Sequence, residues 1–211
     1  MEWFKNYYRT RKAANVAFRA LYRLNVEGEP FGIGPVLLMP AHQTNADGSS
    51  LMNAIEGPLA FVYSYRMGFH FPIISPWFRD ILYNIGGIEV RKRHFDFERF
   101  FSNLANRIPI VAFPNECQPG AIGSFKTGIA TLVSRYEESH KEQVAFVPVG
   151  IEYRTLKHFG MPASFFHFPP PGTVITVRFG NPLYLAGTGP EKLTELVMRE
   201  NAKLSKVPYF G

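Results

Sequence analysis

Five short apolar runs, most of them separated by segments of helical character, limit most strongly what this chain can fold into. Val36-Leu37-Leu38-Met39 reads as a buried strand ending at Pro40, and Ile88-Glu89-Val90-Arg91 as another, entered through Gly86-Gly87. Ile108 to Phe113 stops in the turn-forming Pro114-Asn115, Val144 to Tyr153 is largely apolar, and Val174 to Phe179 alternates. Runs of this length bounded by Gly, Pro and Asn are the mark of strands. A helix capped by Asn45 or Asp47 is expected through Leu51, Met52 and Ile55. Further helices are expected over Phe97 to Arg107, Phe125 to Tyr136 and Pro190 to Leu204. Strands alternating with helices predict an α/β fold, a single domain with a mixed, mostly parallel sheet flanked by helices. The 211 residues suffice for one full-sized core and fall short of two. Phe165 to Gly172, rich in Phe and Pro, is expected as a surface loop.

Ahead of the first run, Glu2 to Leu24 reads as an amphipathic helix. Trp3, Phe4, Tyr7, Tyr8, Ala14, Ala17, Phe18, Leu21 and Tyr22 fall near a 3.6-residue period, beside Lys5, Arg9, Arg11, Lys12, Arg19 and Arg23. A basic helix with an aromatic side suits the surface of an anionic membrane; a terminal helix packed on its own domain has the same pattern. We expect residues 1–27 as a membrane-facing amphipathic segment and 28–211 as the folded domain. The formal charge of +6 calls for a negatively charged partner. Nucleic acid is not expected, because no recognition motif is present and the basic residues concentrate in an aromatic helix. The apolar stretch Phe61 to Phe78 is broken by Arg66, His70 and two prolines, so it is not a membrane span. The aromatic content, 15%, suits either a long apolar ligand or an aromatic-rich core. A single cysteine excludes an internal disulfide framework, and the remaining histidines show no metal-like spacing.

His42 and Asp47 carry the chemistry. On one continuous helix, five positions would place them about 140° apart. At a strand-to-helix corner they converge: histidine in the turn, aspartate in the first helical turn. Such an aspartate holds one ring nitrogen, fixes the tautomer and stabilises the imidazolium, leaving the other nitrogen to take a proton from an alcohol. The spacing alone is common, and only its company makes it specific.

That company is an ordered series of blocks. After His42-Gln-Thr-Asn-Ala-Asp47 come Gly86-Gly-Ile-Glu-Val-Arg91, Phe113-Pro-Asn-Glu-Cys-Gln-Pro119, Phe125-Lys-Thr-Gly128, Val147-Pro-Val-Gly150 and the closing pattern from Val177 to Pro182. In this order the sequence resembles the glycerolipid acyltransferase family, the H-x4-D acyltransferases that include 1-acylglycerol-3-phosphate acyltransferases, from about Pro35 to Pro182. The resemblance implies that residues 28–211 are an acyltransferase domain. It implies transfer of a fatty acyl group from an acyl thioester, acyl-CoA or acyl carrier protein, to the hydroxyl of a lipid acceptor, a step of phospholipid biosynthesis. His42 and Asp47 become the catalytic pair. Arg91, Phe113, Pro114, Asn115, Glu116 and Lys126 become substrate-binding residues, with backbone amides near Asn115 and Glu116 facing the oxyanion. Neither metal nor cofactor is implied beyond the cosubstrate, and Phe61 to Phe78 is expected to line the acyl groove. The implied place is the cytoplasmic face of a membrane, as a peripheral protein.

The third block departs from the family pattern, F-P-E-G-T-R-S. Asn115 stands where glutamate is usual, Gln118 where arginine is usual, and Glu116 lies one position late. Arginine grips phosphate with a permanent two-point fork, and glutamine offers one neutral amide. The departure argues against lysophosphatidic acid as the acceptor unless Arg91, Lys92 and Arg93 compensate. A lysophospholipid with another head group, an aminolipid, a glycosylated isoprenoid or a diol fits as well. The opposing reading is a catalytically weak lipid-binding protein that keeps the fold, disfavoured by the intact His–Asp pair.

Overall fold

The computed structural model describes residues 3–30, 34–44, 46–64, 83, 84, 86–91, 94–115, 122, 125–154 and 169–210. In chain order the elements are α1 (Trp3–Leu21), β1 (Arg23–Glu27), β2 (Val36–Pro40), α2 (Asp47–Ala54), β3 (Ala60–Ser64), β4 (Ile88–Arg91) and β5 (His94–Phe95). They continue with α3 (Phe97–Ala105), β6 (Ile110–Val111), α4 (Gly128–His140), β7 (Ala145–Arg154), β8 (Val174–Phe179) and α5 (Pro190–Ser205). The strands form one sheet in the order β1-β8-β7-β2-β6-β3-β4-β5. Only β4 with β5 and β7 with β8 run antiparallel; the other five pairings are parallel. This is the mixed, mostly parallel α/β sheet that the alternating runs predicted.

Side-chain alternation along the central strands divides the core between the two faces of the sheet. Leu37 and Met39 of β2, Ile110 of β6 and Phe146 of β7 meet Phe100, Val133, Val197 and Met198 of helices α3, α4 and α5. Val36 and Leu38 of β2, with Val147, Val149 and Ile151 of β7, meet Tyr7 and Phe18 of α1 and Leu51 and Met52 of α2. Every residue of β2 is buried, as a strand covered on both faces requires. At Gly150 helix α5 lies directly on β7: a Cβ there would stand 2.3 Å from Leu204 Cβ.

Two prolines lie inside these central strands, Pro40 and Pro148, and neither has an N–H for the ladder. A side chain from α5 stands between the strands just there. Asn201 accepts a hydrogen bond from Val149 N at 2.7 Å and donates one to Met39 O at 2.6 Å. Ser205 Oγ accepts from Ile151 N at 3.0 Å. The C-terminal end of β2 is therefore tied to the middle of β7 by the buried Asn201 side chain of α5. A crevice at the carboxyl ends of the strands is where open α/β sheets take their ligands.

The expectation for the N-terminus is corrected in one respect. The helix ends at Leu21, not Leu24, and Arg23 to Glu27 forms an edge strand paired in parallel with β8. Polar residues in that stretch hid it, since Arg23, Asn25 and Glu27 point to solvent and only Leu24 packs inward. Strand β3 was likewise unread, because its residues Ala60 to Ser64 open the Phe61 to Phe78 stretch. Beyond Ser64 that stretch lies outside the described residues, as do Asn45, Lys92, Arg93, Glu116, Cys117, Gln118 and residues 165–168 of the expected loop.

Candidate active site

Strand β2 delivers the chain to Pro40, and α2 begins at Asp47, so His42 lies in the corner between them. Asp47 N donates to Thr44 O at 3.2 Å, which folds the aspartate back over the residues just before it. Its carboxylate does not cap the helix. Instead Oδ2 accepts from Gln43 N at 2.7 Å, from Thr44 N at 2.9 Å and from the His42 ring at Nδ1, 2.8 Å away. The other oxygen, Oδ1, accepts from the Tyr153 hydroxyl and faces Thr44 Oγ1 at 3.2 Å. Asp47 is 0% exposed. A buried carboxylate is tolerated only when its lone pairs are occupied, and here five donors surround it.

The His42 side chain is 24% exposed. With Nδ1 committed to Asp47, the neutral tautomer that donates from Nδ1 leaves the Nε2 lone pair free for a proton. The Phe113 ring packs against the imidazole, with centroids 4.8 Å apart. Burial, and after it the Asp47 charge, push the Tyr153 hydroxyl well above its ordinary pKa. At neutral pH it is therefore a donor.

Asn115, 7% exposed, contacts the main chain of His42. Its Oδ1 accepts from His42 N at 2.8 Å, and its Nδ2 donates to His42 O at 3.2 Å. Both polar ends of its amide are thus bonded to the histidine main chain. An antiparallel bridge joins Asn115 to Phe125, and Lys126 N donates to Pro114 O at 2.7 Å. Phe113, Pro114 and Asn115 are thereby brought together with His42, Asp47 and the start of the Phe125-Lys126 segment, and Lys126 is exposed.

Arg91 is the outlying member. It ends β4 on the same rim of the sheet, since β4, β3, β6 and β2 are all parallel neighbours. Three strand spacings, about 14 Å, separate β4 from β2. Sequence reading missed Thr44, Gln43 and Tyr153, although Gln43 Nε2 also donates to Ile151 O at 2.7 Å and ties the corner to β7. The available signal was an aromatic hydroxyl ending the alternation Val147, Val149, Ile151, Tyr153, which aims it at the face that carries α2.

The fold and the corner together define an α/β protein with a buried aspartate holding a half-buried histidine at the carboxyl edge of its sheet. Among solved structures, the chain is similar to the crystal structure of the 1-acyl-sn-glycerophosphate (LPA) acyltransferase PlsC from Thermotoga maritima. The TM-score is 0.65 at 18% identity, over 93% of this chain and 78% of that one. What is shared at that identity is the fold, and it is the fold the block resemblance implied. No family model matches the sequence, and no curated protein matches it.

Proposed function

We propose that this protein is an O-acyltransferase that moves a fatty acyl group from an acyl thioester, acyl-CoA or acyl carrier protein, to the hydroxyl of a lipid acceptor. The observation that carries this reading is the His42–Asp47 pair, with Nδ1 held at 2.8 Å by a fully buried carboxylate and the opposite ring nitrogen uncommitted to Asp47. The fold shared with an acyltransferase and the order of the blocks support it.

In this mechanism Nε2 of His42 takes the proton of the acceptor hydroxyl as its oxygen attacks the thioester carbon. Asp47 offsets the charge that develops on the ring. Collapse of the tetrahedral intermediate breaks the carbon–sulfur bond, and His42 returns the proton to the departing thiol. Phe113 shields one face of the imidazole. The acceptor is a lysophospholipid or related lipid alcohol, and the altered third block argues against a bare phosphate head group. The protein works at a membrane surface, α1 facing the lipid with exposed Lys5, Arg9, Lys12 and Arg19 beside exposed Tyr8, Val16 and Leu21. No helix among the described residues is long and apolar enough to cross a membrane.

The test is incubation with labelled acyl-CoA, or labelled acyl carrier protein, and a panel of lipid alcohols. The parent should label at least one acceptor, and His42→Ala, folded by circular dichroism, should lose about 10²-fold or more of that rate. Near-parental turnover by the folded variant refutes the mechanism.

A further inference from the structure

We propose that Tyr153 is a positioning residue of the active site, holding the second oxygen of Asp47 so that the first stays aimed at His42; this rests on the His42–Asp47 reading above. Asp47 can pivot about its Cβ–Cγ bond, and a pivot carries Oδ2 away from Nδ1. The bonds to Oδ2 all come from residues 42–44, the same corner that carries the histidine. Gln43 ties that corner to β7 and Asn115 holds the His42 main chain, but neither bond reaches the second carboxylate oxygen. Tyr153 differs because it belongs to β7, 106 residues away, paired on one side with β2 and on the other with β8. Its hydroxyl donates to Oδ1 and lies 2.9 Å from Thr44 Oγ1, so that strand, hydroxyl and corner form one network. The carboxylate is thereby fixed between the loop and the sheet.

Charge around this network is sparse among the described residues. His42 and Tyr153 are the titratable side chains bonded to Asp47, and its other donors are the neutral Gln43 and Thr44. Glu152 and Arg154, on either side of Tyr153, bond each other, and Glu152 also binds Arg178 and Lys206. Without the Tyr153 hydroxyl the carboxylate is free to pivot, and the Oδ2–Nδ1 bond that orients His42 weakens. The ring then loses the partner that fixes its tautomer and offsets its developing charge, so the loss falls on kcat.

Tyr153→Phe keeps the ring and removes the hydroxyl. Its kcat should fall about tenfold, the effect of one charge-assisted hydrogen bond, with the acceptor KM little changed. The Nδ1–H proton resonance of His42, followed by NMR and assigned with His42→Ala, should move upfield as its bond to Asp47 weakens. Thr44→Val, which removes the other side-chain donor to Oδ1, should move kcat and that resonance in the same direction as Tyr153→Phe. A folded Tyr153→Phe variant with parental kcat and an unmoved His42 Nδ1–H resonance overturns the proposal. So does a variant that melts earlier with kcat and resonance unmoved. The NMR resonance does not need turnover, so it judges Tyr153 even if His42→Ala shows the acyltransferase reading to be wrong.

Discussion

Asn115→Ala separates two roles for a residue that the sequence assigned to substrate. In the structure both ends of the Asn115 amide are bonded to His42, at 2.8 Å to its N–H and 3.2 Å to its carbonyl. Alanine removes both partners at once from a site where Asn115 is only 7% exposed. Two net hydrogen bonds at about 1 kcal/mol each, with some cost for stripping buried groups, give a destabilisation of about 2–4 kcal/mol. The larger effect falls on chemistry. A histidine displaced by about 1 Å from its attack geometry costs on the order of 10²-fold in rate. The assay is steady-state acyl transfer against acceptor concentration, alongside a denaturant melt. A positioning role lowers kcat by that order and leaves the acceptor KM within a few-fold. Asn115→Asp should be about as damaging, because it keeps the acceptor for His42 N but sets an anionic oxygen against His42 O. If Asn115→Ala instead raises KM with kcat intact, the amide serves the substrate and the clamp is not what matters.

Two other perturbations probe the rest of the molecule. Glu152 is held at a pKa of about 2: burial opposes its ionisation, but hydrogen bonds from Arg154, Arg178 and Lys206 outweigh it. Its folded value lies below the ordinary 4.5, so its contribution is present above that pH and lost as pH falls towards 2. Glu152→Gln should therefore lower stability at pH 7 by up to roughly 3 kcal/mol, with the gap closing in melts near pH 2, and a pH-independent gap would contradict the ion-pair account. Changing Lys5, Arg9, Lys12 and Arg19 to glutamine should weaken binding to anionic vesicles about 10³-fold, at about 1 kcal/mol per cation. Undiminished vesicle binding would move the membrane contact away from α1. Deleting the N-terminus is a poorer experiment, because it strips Tyr7 and Phe18 from the core and opens the edge of the sheet at β1.

Burial was legible in the sequence wherever it leaves a local period. Ile88 to Arg91, Val174 to Phe179 and the helix from Pro190 were read almost to the residue, because apolar alternation and a proline at the helix start act within a few positions. The His42–Asp47 pair was legible for the same reason: five residues at a strand-to-helix corner can meet without help from elsewhere. Arg23 to Glu27 was not, since an exposed edge strand needs no apolar pattern and exists only because β8 lies beside it.

Most of the chain order of strands and helices, β1, β3 and β5 apart, and the histidine–aspartate pair were therefore legible in the sequence itself. Tertiary structure alone decided what holds that pair. Tyr153 reaches Asp47 across 106 residues, Asn115 reaches His42 across 73, and Asn201 reaches Met39 across 162. Such contacts depend on sheet order, strand register and the seating of α5 on Gly150, and no local period records them. A hydrogen bond is directional and short, so its partner is set by where the whole fold places two side chains, whereas burial is set largely by each segment's own pattern.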